Sequence, residues 1–180
     1  MKLKPPKNLE NLYEDTQKVF NVLNHESDIA CVLIGASYLS ELLGSAIRTV
    51  LRKSKVTEKL LGPGKGILGS FQTRADMAYC LKIIGKSDLQ DLEVIGNIRN
   101  SFAHKHLSFD FTDSEVEKEC NKLNAWNIKL HTEEINSDPH IEKLPETIFK
   151  VDSTRQKFVI SIVMIKQRII NGAFTKIASE

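Results

Sequence analysis

Apolar residues recur every three or four positions along most of this chain, and the rhythm stops where capping residues stand. Asn8 is placed to cap a first helix, Leu9 to Leu23, with Leu12, Val19, Phe20 and Leu23 on one face. Ser27 and Asp28 precede a long second helix, Ile29 to Arg52. Its Ile29, Val32, Leu33, Ala36, Leu39, Leu43, Ala46, Ile47 and Val50 fall on one broad stripe, and Arg48, Arg52 and Lys53 suit the negative end of its dipole. After the loop Leu61–Ser70, Ser70 caps a third helix, Phe71 to Ile84, which Gly85 would end as a left-handed C-cap. Ser87 caps a fourth, Asp88 to Ala103. Ser114 and Glu117 form a capping box for a fifth that runs to about Trp126. Residues 127–152 are polar, hold Pro139 and Pro145, and lack a period, so they read as a long connection with a short strand-like piece at Thr147–Val151. Ser153 caps the last helix, Thr154 to Ala178, which carries Phe158, Ile162, Ile165, Ile169 and Phe174. The pattern predicts an all-α fold: a compact single-domain bundle of about six helices, with residues 1–8 as a loose arm and 9–180 as the domain.

A chain of 180 residues can bury a core of its own. Net charge is +2, from 25 basic and 23 acidic residues, so no whole-molecule field steers it to nucleic acid or an anionic membrane. Cys31, Cys80 and Cys120 form no CxxC pair and stand at no zinc spacing. Cys31 and Cys80 lie in apolar runs and read as buried free thiols, which suits a reducing cytoplasm. The opening MKLKPPKNLE lacks the apolar stretch of a signal peptide, and FVISIVMI, broken by Lys166, Gln167 and Arg168, is too short to span a bilayer. The expectation is a soluble cytoplasmic protein with no membrane segment, cofactor or metal. The run LGPGKGILGS is no phosphate loop, because Lys59 stands where the first glycine belongs and Gly66 where Ser or Thr belongs.

Candidate chemistry concentrates in RNSFAH. On an ideal helix Leu92, Ile95, Ile98 and Phe102 share an arc of about 120°, and Arg99 falls inside it. Asn100 and His104, four apart, lie together on the flank with Glu93 and Gly96. An arginine in an apolar arc needs an acceptor, and Glu41, Asp76 and Asp91 are the candidates for an internal ion pair. Alternatively Arg99 binds a phosphate, His104 moves a proton and Asn100 orients one of them. An unbroken helix points Arg99 and His104 about 140° apart, so they converge only if the helix ends near Ala103 or a second chain supplies the partner. His25, His131 and His140 are scattered without metal spacing, His106 lies in a loop, and Trp126 reads as a core anchor.

Short blocks from Glu26 to Lys176 carry a resemblance. They include Ser27-Asp28, Ala30-Cys31, Gly35-Ala36, Tyr38-Leu39, Glu41-Leu42-Leu43, Leu68-Gly69-Ser70-Phe71, Arg74-Ala75-Asp76 and Ala78-Tyr79. Ile98-Arg99-Asn100, Phe102-Ala103-His104, Leu107-Ser108-Phe109 and Arg155-Gln156-Lys157-Phe158 complete the series. In this order they resemble the mannitol operon repressor family, which implies a compact helical fold and a part in transcriptional control. Locally, Arg99, the polar Asn100 and His104 are similar to the signature of HEPN-type helical domains, many of them metal-independent ribonucleases that act as dimers.

These resemblances imply different mechanisms. A repressor that reads operator DNA needs a recognition helix after a tight turn, and the nearest segment, Arg48 to Lys59, lacks a paired scaffold helix of the right length. Sequence-specific DNA is therefore not an expected partner, and regulation through a protein partner fits the chain better. The alternative is an HEPN-like endoribonuclease with Arg99, Asn100 and His104 as catalytic residues across a homodimer and RNA as substrate. Arginine would meet the phosphate and histidine would transfer protons near neutrality.

Overall fold

The computed structural model describes residues 16–62, 66–104, 109–127 and 151–178, and these are helical with short turns between. The helices are α1 (Thr16–His25), α2 (Asp28–Val50), α3 (Lys55–Leu61), α4 (Phe71–Cys80), α5 (Lys86–His104), α6 (Ser114–Cys120) and α7 (Thr154–Ala178). The arm at 1–8, the first turns of the first predicted helix, and almost all of the connection with its strand-like piece lie outside the described residues.

The longest helices form the centre. α2 lies against α7, α4, α5, α1 and α3. Its buried face is Cys31, Val32, Gly35, Ala36, Leu39, Leu42, Leu43, Gly44, Ala46 and Ile47, close to the stripe read from the sequence. α7 answers with Phe158, Val159, Ile162, Ile165, Ile169, Ile170 and Ala173. Gly35 lets the two approach: a Cβ there would lie 3.3 Å from Ile162. By length and composition both helices could cross a membrane, which the short run FVISIVMI did not suggest. Half or more of the most apolar stretch of each is buried in the protein, so the apolarity serves the core. Both charges that break that run are drawn toward the bundle: Lys166 is fully buried, and the half-buried Arg168 pairs with Asp88 at 2.6 Å.

Several predicted boundaries hold and several move. α7 begins and ends as predicted, under a full capping box in which Gln156 N–H donates to Ser153 Oγ and Ser153 N–H donates to Gln156 Oε1. Ser27 and Ser70 cap α2 and α4 as expected. The α6 cap is Asp113, whose carboxylate accepts from Glu115 N–H, and the helix stops at Cys120, well before Trp126. α3 was not predicted as a helix; at seven residues it is too short to show a period, and only its Ser54 cap could have revealed it.

The α4–α5 corner departs furthest from the sequence reading. α4 ends at Cys80, and Lys82, not Gly85, takes the left-handed conformation, with φ 57°. Ile83 N–H donates to Ala78 O and Lys82 N–H to Tyr79 O, the double bond of a Schellman turn, with Ile83 and Ala78 both buried. Gly85 instead caps α5: its N–H donates to Asp88 Oδ2 and its carbonyl accepts from Leu89. The apolar pair Ile83–Ile84 had invited an extension of α4, but both side chains are buried after the turn. Lys82→Gly should therefore stabilise the protein by up to about 1 kcal/mol, because glycine has no Cβ penalty at positive φ. A rise in the urea midpoint at constant slope is the expected reading.

Candidate functional site

Arg99, Asn100 and His104 occupy the last two turns of α5, and all three are exposed. The helical wheel had put Arg99 among Leu92, Ile95, Ile98 and Phe102, which are indeed buried. Height along the axis explains the difference. α4, ten residues or about 15 Å long, runs back along α5, which at nineteen residues is about 28 Å long. Phe71, the first residue of α4, already lies opposite Gly96. Arg99 projects toward the α4 side but past the end of α4, into solvent. Ile98 and Phe102 stand about 100° and 60° round the helix from Arg99, away from Gly96, and are buried there, where Phe102 packs edge-on against Phe109 at 5.2 Å between ring centres.

The expected internal ion pair for Arg99 is therefore absent among the described residues. Glu41 accepts from Arg74, Asp76 from Gln72, and Asp91 from Asn124 and Ala125. Arg99 Nη1 donates instead to Asn100 Oδ1 at 3.0 Å, a neighbour contact that holds the guanidinium against α5. The helix continues through His104, so within one chain Arg99 and the imidazole leave α5 about 140° apart, while Asn100 lies on the His104 side. His106 lies outside the described residues, as do His131 and His140.

The buried polar chemistry is elsewhere. Arg74 on α4 is 6 % exposed, and the sequence reading did not single it out as a buried cation. Its Nε donates to Leu68 O (2.9 Å), Nη1 to Ser40 O, Ser40 Oγ and Glu41 Oε1, and Nη2 to Leu61 O (3.4 Å). Gly44 leaves room for the guanidinium, since a Cβ there would stand 3.2 Å from its Cζ. One side chain so ties α2, α3 and the loop before α4. At the other end of α2, Arg155 Nη1 meets Asp28 Oδ1 at 2.5 Å while its Nη2 donates to the carbonyls of Leu23 and Glu26. Asp28 Oδ2 accepts Phe111 N–H, so this pair fastens α1, α2, α7 and the segment before α6. Fully buried Asp91 accepts Asn124 N–H and Ala125 N–H and caps the turn after α6. Asp28, Glu41, Arg74 and Arg155 belong to the blocks that carried the family resemblance, so much of that signal encodes the packing of the bundle.

The remaining groups are inert or open. Burial pushes the thiols of Cys31 and Cys120 up to about 12, which keeps them protonated at neutral pH. Cys80, expected inside, is exposed, because at the end of α4 it stands about 140° to 160° round the helix from the buried Ala75 and Ala78. Trp126 does pack on the core, with Lys157 Nζ 5.0 Å from its ring centre. Among the described residues no group of three His, Cys, Asp or Glu side chains could hold a metal ion. A cleft of 510 Å³ opens beside the Asp28–Arg155 pair, walled by Phe111, Glu117, Asp152 and Lys157. A smaller one, 270 Å³, lies between α1 and α7 at Phe20, His25 and Val159. Neither includes Arg99, Asn100 or His104.

No family model and no curated protein sequence matches this chain. Among solved structures it is similar to a chain in the X-ray structure of the MtlR–HPr complex from Escherichia coli, at 20 % sequence identity and a TM-score of 0.65. The match covers 87 % of this chain and 98 % of that one, so the two share a helical fold over nearly their whole length.

Proposed function

We propose that this protein is a cytoplasmic regulator in the manner of the mannitol operon repressor family, acting through contacts with protein partners and not by reading DNA sequence. The observation that carries this reading is the shared fold with MtlR, a protein whose structure was solved in complex with HPr. An HPr protein is accordingly the first partner to test. The disposition of α3 supports the second half of the reading. The segment from Arg48 to Lys59, the nearest to a recognition helix, is divided between the end of α2 and α3, which has only seven residues and whose Glu58 is held by Arg48 at 3.1 Å. That carboxylate would face phosphate unfavourably. Titration calorimetry with purified E. coli HPr should show saturable binding. Duplex DNA, operator or scrambled, should bind weakly and without preference. Absence of HPr binding, together with operator preferred over scrambled duplex by more than about a thousandfold, would overturn the reading.

The solvent access of Arg99, Asn100 and His104 favours one second reading, the metal-independent ribonuclease. Because the helix does not end before His104, that chemistry requires a two-fold homodimer that sets the arginine of one chain beside the histidine of the other. One imidazole would then act as base toward the 2′-hydroxyl and its mate as acid toward the leaving oxygen, with Arg99 on the phosphate. Cleavage of single-stranded RNA should persist in chelator, leave 2′,3′-cyclic phosphate ends, and fall at least about a hundredfold in His104→Ala. Intact RNA at high protein concentration, or equal cleavage by the variant, would retire this reading and leave the regulatory one.

A further inference from the structure

The end of the molecule formed by α3 carries a surface that the fold does not use. Thr57 and Leu61 bury one face of α3, and Glu58 turns to Arg48. At about 100° per residue the opposite face presents Lys55 and Lys59 one turn apart, beside Val56 and Leu60 one turn apart. Lys55, Lys59 and Val56 are exposed and Leu60 is half-buried. Arg52 and Lys53 precede the helix, and both are exposed. No ion pair among the described residues holds Arg52, Lys53, Lys55 or Lys59. The loop after α3 adds to the apolar row: Leu68 N–H donates to Leu60 O, which sets the neighbouring Ile67 beside the helix end. Ile67 and Val56 are 77 % and 66 % exposed, more than any other large apolar residue described.

Isolated exposed apolar residues need no explanation, but two at one end of the molecule, flanked by four cations that no described residue pairs, make a surface with a definite complement. We infer that the α3 face (Arg52, Lys53, Lys55, Val56, Lys59 and Ile67) is a docking surface for an acidic protein segment with interspersed aliphatic side chains. The inference rests on the reading that this protein works through protein contacts. Carboxylates would meet the lysine row, and aliphatic side chains would cover Val56 and Ile67. Nucleic acid suits the surface less well, because its sugar-phosphate backbone has nothing aliphatic to place on the apolar row. An anionic bilayer suits it less well because the row is aliphatic without the Trp or Tyr that seek the membrane interface.

Fluorescence anisotropy on the full chain tests this with a labelled peptide of glutamates and leucines, the same peptide with serine for leucine, a duplex DNA, and phosphatidylserine vesicles. The Glu/Leu peptide should bind best and weaken as salt rises. Lys55→Glu with Lys59→Glu should lower its affinity at least about tenfold, and Val56→Ser with Ile67→Ser should do so while leaving the salt dependence intact. Lys55→Arg with Lys59→Arg should bind as the parent does, which separates charge from a folding defect. Peptide binding that ignores both double substitutions overturns the inference, as does tighter binding of DNA or vesicles that the same substitutions abolish. HPr bound normally by a protein that ignores the peptide would sink this surface and leave the regulatory reading standing. Peptide binding without HPr binding would do the reverse.

Discussion

Replacing Arg74 with alanine should lower the unfolding free energy by about 3–5 kcal/mol, the range for removing one partner of a buried, hydrogen-bonded charge network. Little of this comes from the ion pair itself, since Glu41 is 81 % exposed and its charge is screened by water. The loss lies in the carbonyls of Leu61, Leu68 and Ser40, which converge on the guanidinium, and in the void left beside Gly44. Unsatisfied acceptors of this kind cost about 1–3 kcal/mol each, although water entering the gap would recover part of that. Arg74→Lys should rescue only in part, because one ammonium cannot span acceptors that the planar fork reaches from three nitrogens. Arg99→Ala is the natural control. Among the described residues its guanidinium bonds only to Asn100 and is exposed, so the denaturation midpoint should not move. A midpoint for Arg74→Ala equal to that of the parent would show that the network is dispensable.

Gly172→Ala should be as damaging, at about 3 kcal/mol or more, by a different route. The added Cβ would lie 1.7 Å from Ile83 O and 2.7 Å from Ile83 C. Those atoms are backbone in the Schellman turn between α4 and α5, so no rotamer change relieves the clash; α7 and the turn must separate. Separation would also loosen the Arg168–Asp88 pair, which joins α7 to the first turn of α5. Gly96→Ala provides the contrast. There the Cβ would meet the Phe71 ring at 3.4 Å, an ordinary contact, and alanine in mid-helix should gain up to about 1 kcal/mol. Thermal or urea denaturation of the pair should move in opposite directions. A Gly172→Ala protein that melts with the parent would mean that α7 and the α4–α5 turn pack less closely than described.

The all-α class, the stripe along α2 and both ends of α7 were legible in the sequence because each depends on residues close in the chain. Periodicity decides which side of a helix is apolar, and a cap such as Ser153 with Gln156 satisfies its donors within one turn. The same locality explains the failure at Gly85. A glycine after an apolar run reads as a C-cap, and only the burial of Ile83 and Ile84 moved the left-handed residue to Lys82. Arg99 shows the limit most plainly. Its angle on the wheel was right, but exposure depends on whether another helix stands at the same height, and α4 ends too soon. Arg74 and Arg155 were unreadable for the complementary reason. Their acceptors are carbonyls and carboxylates 6 to 132 positions away, brought together only when α2 packs against α4 and α7. Sequence alone thus determined which elements form and which faces are apolar, since those rest on short-range sterics and the hydrophobic effect. Tertiary structure alone decided which cations are internal and which remain on the surface for a partner, because burial belongs to the assembled bundle and not to any one helix.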